Sequence, residues 1–337
     1  MFEEGFAELH THLGGSVASD IMWSLAHEQG IHLPTRDYEE FDRLVTVSDP
    51  RGVPDLDSLD RIYHLTELIQ SSPLAVERSV HAAIGGAYRS QRITTLELRF
   101  NPMKRNRGGE RDLDHIILAA TRGLDIASLE YPQVRAGLIL MMDRTFSADQ
   151  NMVIVEKALR YRSRGIVGVD IAGPRPGGAR YDYTQIREHV DLARDGGLGV
   201  TIHVGEEGGD YGVEEIGEVV ESLRPDRLGH GILAAREPEL MSAIHAADIT
   251  LEICPTSNLL TKALRDEDEV RETFRAFVEN GVAFTIATDG PEMMRTHLRD
   301  EFELLARIGA LSDDELAAAN ARGHDASFLG GRTRAHA

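Results

Sequence analysis

The chain has 337 residues, of which 42% are hydrophobic, and a net charge of −20. Such a chain can bury a sizeable core as one large domain or as two ordinary ones, and its acidity argues against nucleic acid and anionic membrane surfaces as partners. It has no apolar run long enough to cross a bilayer, its start lacks a signal segment, and its single cysteine, Cys254, excludes an internal disulfide. We therefore expect a cytoplasmic protein.

Apolar, β-rich runs alternate with helical stretches along the chain, as in parallel sheets whose strands are buried on both faces. The predicted strands are 6–9, 93–99, 134–142, 167–171, 199–203, 227–228, 249–254 and 283–288. The predicted helices are 74–89, 112–130, 149–164, 183–195, 213–223, 238–246 and 267–280, with closing helices at 298–309 and 312–321. Eight strand–helix units predict an α/β fold, a (β/α)8 TIM barrel, in one domain over residues 1–337.

The longest insertion, 21–72, lies between the first two strands and contains a helical stretch at 56–69. In a barrel this segment leaves the catalytic face, so we interpret it as a candidate helical lid; the alternative is a decorative insertion. Trp23 and Tyr63 are interpreted as residues that pack this lid.

Four metal- or proton-handling residues stand where predicted strands end. His10 and His12, two apart, point to the same face of the first strand. His203 ends the fifth strand, and Asp289 follows the eighth. A barrel gathers the carboxyl ends of its strands on one face, where its chemistry is found. An H-x-H pair alone is more often incidental, but three imidazoles and a carboxylate together favour a zinc site.

Two further residues suit proton transfer. Glu206 lies three residues beyond His203, where a carboxylate can reach substrate bound beside a metal. His230 lies between Gly229 and Gly231, whose small size permits close approach of backbone and ligand. The alternative for His230 is a histidine in a tight turn.

The sequence resembles the adenosine deaminases of the amidohydrolase superfamily from Glu8 to about Leu329. The resemblance rests on six ordered motifs: E-L-H-T-H-L-G-G-S (8–16), V-G-V-D-I-A-G (167–173), T-I-H-V-G-E (201–206), R-L-G-H-G (227–231), L-E-I-C-P-T-S-N (251–258) and A-T-D (287–289). An ordered set of this length is highly specific.

The resemblance implies one zinc ion per chain with four ligands, namely His10, His12, His203 and Asp289. It implies that Glu206 protonates the purine ring nitrogen beside the reacting carbon, and that His230 orients the attacking hydroxide. Asp289 would also take the proton of the water, and Gly173 would offer its backbone to the other edge of the heterocycle. Water activated by the metal would then displace ammonia.

Two positions depart from the family pattern. The family commonly has aspartate in place of Gly14, where it holds the ribose 5′-hydroxyl, so we expect a lost anchor and room for a 5′ substituent. The family also has a second aspartate in place of Gly290, where it holds the imidazole edge of the purine. Each lost hydrogen bond costs about 0.5–1.5 kcal/mol, which alters specificity more readily than it abolishes chemistry.

Four arginines are candidates for binding an anionic group at the barrel mouth: Arg99, Arg144, Arg175 and Arg180. Arginines in such loops are more often solvated charges. The favoured substrate is a 5′-modified adenosine such as 6-amino-6-deoxyfutalosine, an intermediate of menaquinone biosynthesis. The alternatives are adenosine, adenine or another amino-heterocycle.

Other classes and residues are less favoured. A non-catalytic nucleoside-binding barrel conflicts with the complete set of site residues, and a secreted relative conflicts with the missing signal segment. A binuclear hydrolase usually needs a bridging lysine or carboxylate at the fourth strand. Cys254 is interpreted as a small buried hydrophobe, and homo-oligomerisation is left open. Five histidines in helical stretches are set aside: His64, His81, His115, His189 and His245.

Overall fold

The computed structural model describes residues 2–47, 56–105, 112–175, 179–206 and 211–330. Its eight parallel strands lie side by side in chain order. They are β1 (Phe6–His12), β2 (Ile93–Phe100), β3 (Arg135–Asp143), β4 (Ile166–Ala172), β5 (Gly199–Val204), β6 (Arg227–His230), β7 (Thr250–Ile253) and β8 (Ala283–Ile286).

The sheet closes on itself just beyond β8. Thr11 of β1 forms a parallel bridge with Asp289. The amide of His12 donates to the Asp289 carbonyl at 2.7 Å, and the amide of Asp289 donates to the His10 carbonyl at 2.9 Å. The predicted (β/α)8 barrel is confirmed, and its closure places Asp289 against the two histidines of β1.

The helices surround this barrel. They are α1 (Ser19–Glu28), α2 (Tyr38–Val45), α3 (Leu56–Ile69), α4 (Pro73–Gln91), α5 (Leu113–Glu130), α6 (Ala148–Arg160), α7 (Arg187–Asp195), α8 (Gly212–Ser222), α9 (Pro238–Ala246), α10 (Pro255–Leu260), α11 (Glu267–Glu279), α12 (Pro291–Met294), α13 (Leu298–Arg307) and α14 (Asp313–Ala326). Within the described ranges, none is long and apolar enough to span a membrane.

Several helix boundaries differ from the predictions for local reasons. The predicted helix 149–164 ends earlier, at Arg160, because a short 3-10 turn and Gly165, with φ of 99°, redirect the chain into β4. The predicted helix 183–195 opens with a 3-10 turn over Tyr183–Ile186. Helices α10 and α12 were not predicted. Each begins with a proline in its first turn, a position that proline favours.

The insertion after β1 carries α1, α2 and α3, of which only α3 was predicted. Helix α3 contributes Leu59, Asp60, Tyr63 and Glu67 to the wall of the main cavity. Its position over the carboxyl ends of the strands is consistent with the lid hypothesis. Movement of this segment stays a prediction, as does the single-domain assignment.

Candidate active site

Three imidazoles and one carboxylate converge at the carboxyl end of the barrel. Nε2 of His12 lies 3.1 Å from Nε2 of His203. Oδ1 of Asp289 lies 3.4 Å from Nε2 of His12 and 4.0 Å from Nε2 of His10. The structure therefore brings together all four residues that the sequence predicts as metal ligands.

Two buried carboxylates hold the imidazoles from behind. Nδ1 of His10 lies 2.7 Å from Glu252 of β7, and Nδ1 of His203 lies 2.9 Å from Asp170 of β4. A carboxylate that accepts from Nδ1–H fixes the tautomer and leaves the Nε2 lone pair facing the centre, as in many metal sites. Asp170 and Glu252 had no role assigned from the sequence. Each is a charged residue within an otherwise apolar strand, and this pattern could have indicated a functional role.

The donor set fits a divalent metal ion. Among the described residues, the buried Nε2 of His10 has no hydrogen-bond partner, which is costly unless a further group binds there. Burial and the nearby Arg99 lower the pKa of His10 well below its usual range, and burial and His203 lower that of His12. Both are therefore neutral imidazoles, the form that binds metals.

A second group of possible ligands is less suitable. Ligand atoms of His10, His230 and Cys254 also lie within 4.8 Å of one another. Burial raises the pKa of the Cys254 thiol well above its usual range, so the thiolate needed for metal binding is disfavoured. Cys254 is fully buried, as the sequence interpretation expected of a small hydrophobe.

Arg99 requires a correction. Although it borders the cavity, its guanidinium is fully buried and pairs with Asp170 and Glu252, each at 2.8 Å. It also donates to the carbonyl of Leu9 at 2.5 Å. Because these are the carboxylates that hold His203 and His10, Arg99 supports the imidazoles from behind and is not available to a substrate.

Glu206 and His230 form a pair at the edge of the cluster. His230 Nε2 lies 3.3 Å from Glu206 and 3.9 Å from Asp289 Oδ2. Its Nδ1 lies 3.1 Å from the Asn258 amide nitrogen, and its φ of 61° is unusual for a non-glycine residue. The preceding Gly229 leaves room for the rings of His10 and His203, since a Cβ there would lie 2.9 Å and 3.1 Å from their atoms.

The charges of this pair favour ionisation of both groups. Burial opposes the charge of Glu206, but the His230 hydrogen bond, His203 and Arg144 hold its pKa well below the usual range. Burial likewise opposes the charge of His230, but Glu206 and Asp289 raise its pKa. Both shifts therefore favour a carboxylate at Glu206 and a proton on His230.

Asp289 is held in place by contacts on both carboxylate oxygens. Ser257 Oγ donates to Oδ2 at 2.7 Å, and the Tyr63 hydroxyl donates to Oδ1 at 3.3 Å. Its φ of 67° turns the chain away from the strand direction just after β8. Neither Ser257 nor Tyr63 was assigned to the site from the sequence.

Arg144 lies beside Glu206 but is directed mainly at the backbone. It donates to the carbonyls of Gly173 and His203, the latter at 2.5 Å, and one guanidinium nitrogen lies 3.5 Å from Glu206. It therefore joins the ends of β4 and β5 and stabilises the charge of Glu206. Gly173 lines the cavity with φ of 91°, and a Cβ there would lie 2.5 Å from the Asp143 carboxylate; its contact with a heterocycle stays a prediction.

The remaining loop arginines are engaged by glutamates of α8. Arg175 pairs with the buried Glu215 at 2.6 Å. Arg180 pairs with Glu214 at 3.2 Å and with Glu218 at 2.6 Å. These pairings account for both side chains without a bound anion, so the hypothesis that Arg175 or Arg180 binds substrate has no structural support.

The expected room beside Gly14 is also filled. A Cβ at Gly14 would lie 3.0 Å from the Tyr63 ring and 3.0 Å from the Thr66 hydroxyl. A Cβ at Gly290 would lie 3.0 Å from the Tyr63 hydroxyl. The two departures from the family pattern therefore face one aromatic side chain, and the predicted space for a 5′ substituent is not at Gly14.

The cavity encloses about 680 Å³ including its mouth, and it runs from the cluster towards α3. Its lining includes His12, His203, Glu206 and Asp289 of the cluster, and it also includes Asp60, Lys104 and Arg105. The five histidines set aside from the sequence lie on α3, α4, α5, α7 and α9 and outside this cluster.

The fold and the site together define a (β/α)8 hydrolase of the amidohydrolase type. A family model for adenosine deaminase matches residues 6–336. An adenosine deaminase of Vibrio vulnificus (strain CMCP6) is 30% identical over 308 residues, which cover 91% of this chain and 89% of that protein. The chain therefore belongs to the adenosine deaminase family, and it is a hydrolytic deaminase.

Two solved structures share the fold at lower identity. An adenine deaminase from Arthrobacter aurescens is 22% identical, with a TM-score of 0.83 over 96% of this chain and 94% of that one. An amidohydrolase from Burkholderia ambifaria with bound Zn is also 22% identical, with a TM-score of 0.84 over 96% of this chain and 85% of that one. These two likenesses concern the architecture only.

Proposed function

We propose that the protein deaminates an aminopurine nucleoside in a zinc-dependent hydrolysis that releases ammonia. The observation that carries this proposal is that Glu206, His230 and Asp289 lie beside the three clustered histidines, and that Glu206 and Asp289 line one cavity together with His12 and His203. These are the acid, base and ligand groups that the chemistry needs. The adenosine deaminase relatives support the same class of substrate.

The donors of His10, His12, His203 and Asp289 would hold the zinc ion. When bound, zinc supplies a water of lowered pKa and polarises the reacting centre. Asp289 presents Oδ1 to the imidazoles and Oδ2 to His230 and Ser257, so one carboxylate can bind the ion and also receive a proton. His230 would orient the attacking oxygen from the other side.

The ionised state of Glu206 sets the order of proton transfers. As a carboxylate beside His230, it must first accept a proton before it can give one to the ring nitrogen of the purine; the proton that the attacking water loses would supply it. Both steps take place at the same carboxyl group, which Arg144 holds close to the end of β5. Loss of this group would stop the reaction without removing a metal ligand.

The finer proposal is a 5′-extended anionic adenosine, such as 6-amino-6-deoxyfutalosine. The arginines proposed from the sequence are engaged elsewhere, and Lys104, which lines the cavity, takes their place in this proposal. Its ammonium lies 2.7 Å from Asp143 and 3.7 Å from Asp60. Although burial opposes its charge, Asp143 raises its pKa, so it stays cationic. Asp143 and Asp60 already pair with this ammonium, and they would repel an anionic substrate. This arrangement favours the alternatives, adenosine and adenine.

The test is ammonia release from a panel of adenosine, adenine and an anionic 5′-extended adenosine, with wild type, Lys104→Met and Lys157→Met. Lys157 is the matched control because it pairs with Asp114 on the outer helices. A hydrogen bond to a charged group contributes about 1.5–3 kcal/mol, so we expect Lys104→Met to lower kcat/KM for the extended substrate by about tenfold to a hundredfold. A higher wild-type kcat/KM for adenosine or adenine overturns the finer proposal and leaves the deaminase proposal intact.

A further inference from the structure

Tyr63 occupies the space beside both glycines that depart from the family pattern. A Cβ at Gly14 would lie 3.0 Å from its Cδ1 atom, and Cβ atoms at Gly290 and Gly15 would lie 3.0 and 3.3 Å from its hydroxyl. The backbone at positions 14, 15 and 290 thus lies against one phenol side chain from α3. A side chain at either position 14 or position 290 would displace it.

The phenol is built into the wall of the substrate cavity. Its ring lies 5.4 Å from the His12 ring, centroid to centroid, and it lines the same cavity as Glu206 and Asp289. Its hydroxyl donates to Asp289 Oδ1 at 3.3 Å, longer than the usual 2.7–2.8 Å or so of an O–H···O bond. A bond this long leaves the hydroxyl able to turn towards a better acceptor.

We infer that the Tyr63 hydroxyl is the polar partner of the imidazole edge of the purine, in place of a carboxylate at position 290. This inference rests on the proposed function. The hydroxyl lies 3.0 Å from where the Cβ of residue 290 would be, so it takes space that a longer side chain at this position would need. The N7 nitrogen of a purine accepts hydrogen bonds, and a phenol is a donor at neutral pH without prior protonation.

This assignment makes Tyr63 a specificity-determining residue and explains why α3 lies so close to the metal ligands. Glycine in place of aspartate at position 290 would by itself remove one substrate contact. With Tyr63 beside it, the ionisable carboxylate is replaced by a neutral hydroxyl. Selection for the purine N7 is then carried by the insertion after β1, and no longer by the loop after β8.

The test combines a change in the protein with a change in the ligand. Inosine and 7-deazainosine, which differ by N7 against CH, would be titrated calorimetrically into zinc-loaded wild type, Tyr63→Phe and Tyr38→Phe. Tyr38 is the control because its hydroxyl contacts Ser19 on the exposed face of the insertion. We expect wild type and Tyr38→Phe to bind inosine about tenfold more tightly than 7-deazainosine, and Tyr63→Phe to bind both equally. Zinc content and Tm should be the same in all three proteins.

A second variant guards against misfolding of the first. Gly290→Ala keeps the phenol but pushes its hydroxyl aside by a few tenths of an ångström, and it should weaken the preference for N7. An undiminished preference for inosine in Tyr63→Phe overturns the inference, and so does equal binding of both ligands by an active wild type. If neither ligand binds and no aminopurine releases ammonia, the proposed function fails and this inference fails with it.

Discussion

At the scale of single residues, the metal ligands depend on carboxylates behind them. Asp170 holds the imidazole of His203, and Glu252 holds that of His10. We expect Asp170→Asn to weaken zinc binding by about 10–100-fold, because an amide orients and polarises the imidazole less well than a carboxylate. Competition with a zinc chelator measures this. Glu301→Gln, which changes a buried carboxylate bonded to Thr256 and Thr296 and to no metal ligand, should leave the affinity unchanged; equal affinity in both variants would contradict this role of Asp170.

Glu206 provides the corresponding test of proton transfer. Glu206→Gln should retain one zinc ion per chain while kcat falls by about 10²–10⁴-fold, since a neutral amide cannot carry the proton. Metal analysis and steady-state kinetics on the same preparation separate the two effects. The control is Glu214→Gln, which alters an exposed carboxylate paired with Arg180. Near-normal turnover in Glu206→Gln would remove this residue from the mechanism.

The sequence predicted the residues of the metal cluster but misjudged the arginines. Histidines at strand ends are informative because the barrel topology alone brings these ends together. The role of Arg99 depends on Glu252, which lies 153 residues later and faces it across the barrel interior. That pairing requires the register of the strands, which residue types and spacing do not specify.

At the scale of elements, Glu301 joins α13 to the start of α10. It accepts hydrogen bonds from the Thr256 amide at 3.0 Å and the Thr296 hydroxyl at 2.6 Å. Burial raises its pKa from the usual 4.5 to about 7. The folded chain thus holds this proton more tightly than the unfolded chain does. The stability from this group is fully present below about pH 4.5 and is lost as the pH rises through 7.

We therefore expect the free energy of unfolding to fall by up to about 3 kcal/mol between pH 4.5 and 7.5 because of this residue. The measurement is urea unfolding of metal-free wild type and Glu301→Gln across this range. The difference between the two proteins should change with pH in this direction. A difference that stays constant with pH would contradict the account.

A substitution at Gly14 tests how tightly α3 packs against the segment that follows β1. Gly14→Ala should lower the free energy of unfolding by about 1–3 kcal/mol, because its Cβ would be 3.0 Å from both Tyr63 and Thr66. Gly86→Ala on α4 is the control, since a Cβ there meets no atom within 4 Å. It should be neutral or stabilising by up to about 1 kcal/mol. Equal stability of the two variants in urea unfolding would show that α3 is not held tightly against Gly14.

The existence of the strands could be predicted, because buried parallel strands are continuous apolar runs. The residues at which the strands end could not be predicted in this way. β1 continues through His12, and β6 continues through His230, so polar site residues lie within strands where an apolar pattern stops. Helices α1 and α2 were missed because they are short and lie in a long insertion; their buried residues, among them Met22, Leu25 and Phe41, join the main core.

At the scale of the whole molecule, the order of eight strand–helix units predicted the barrel, and the structure and the related folds confirm it. The sequence also predicted which face carries the chemistry. It did not predict that Tyr63 fills the space beside two glycines, because that contact arises from the path of an insertion. Homo-oligomerisation and a cytoplasmic location stay predictions.

The central claim is that one zinc ion per chain, at His10, His12, His203 and Asp289, supports hydrolytic deamination of an aminopurine. The most direct measurement is a zinc titration of metal-free protein, following ammonia released from adenosine and from an anionic 5′-extended adenosine. We predict that the rate with the active substrate rises in proportion to bound zinc and stops rising at one ion per chain. Activity that requires a second ion, or no ammonia from either nucleoside or from adenine at full occupancy, would contradict the account.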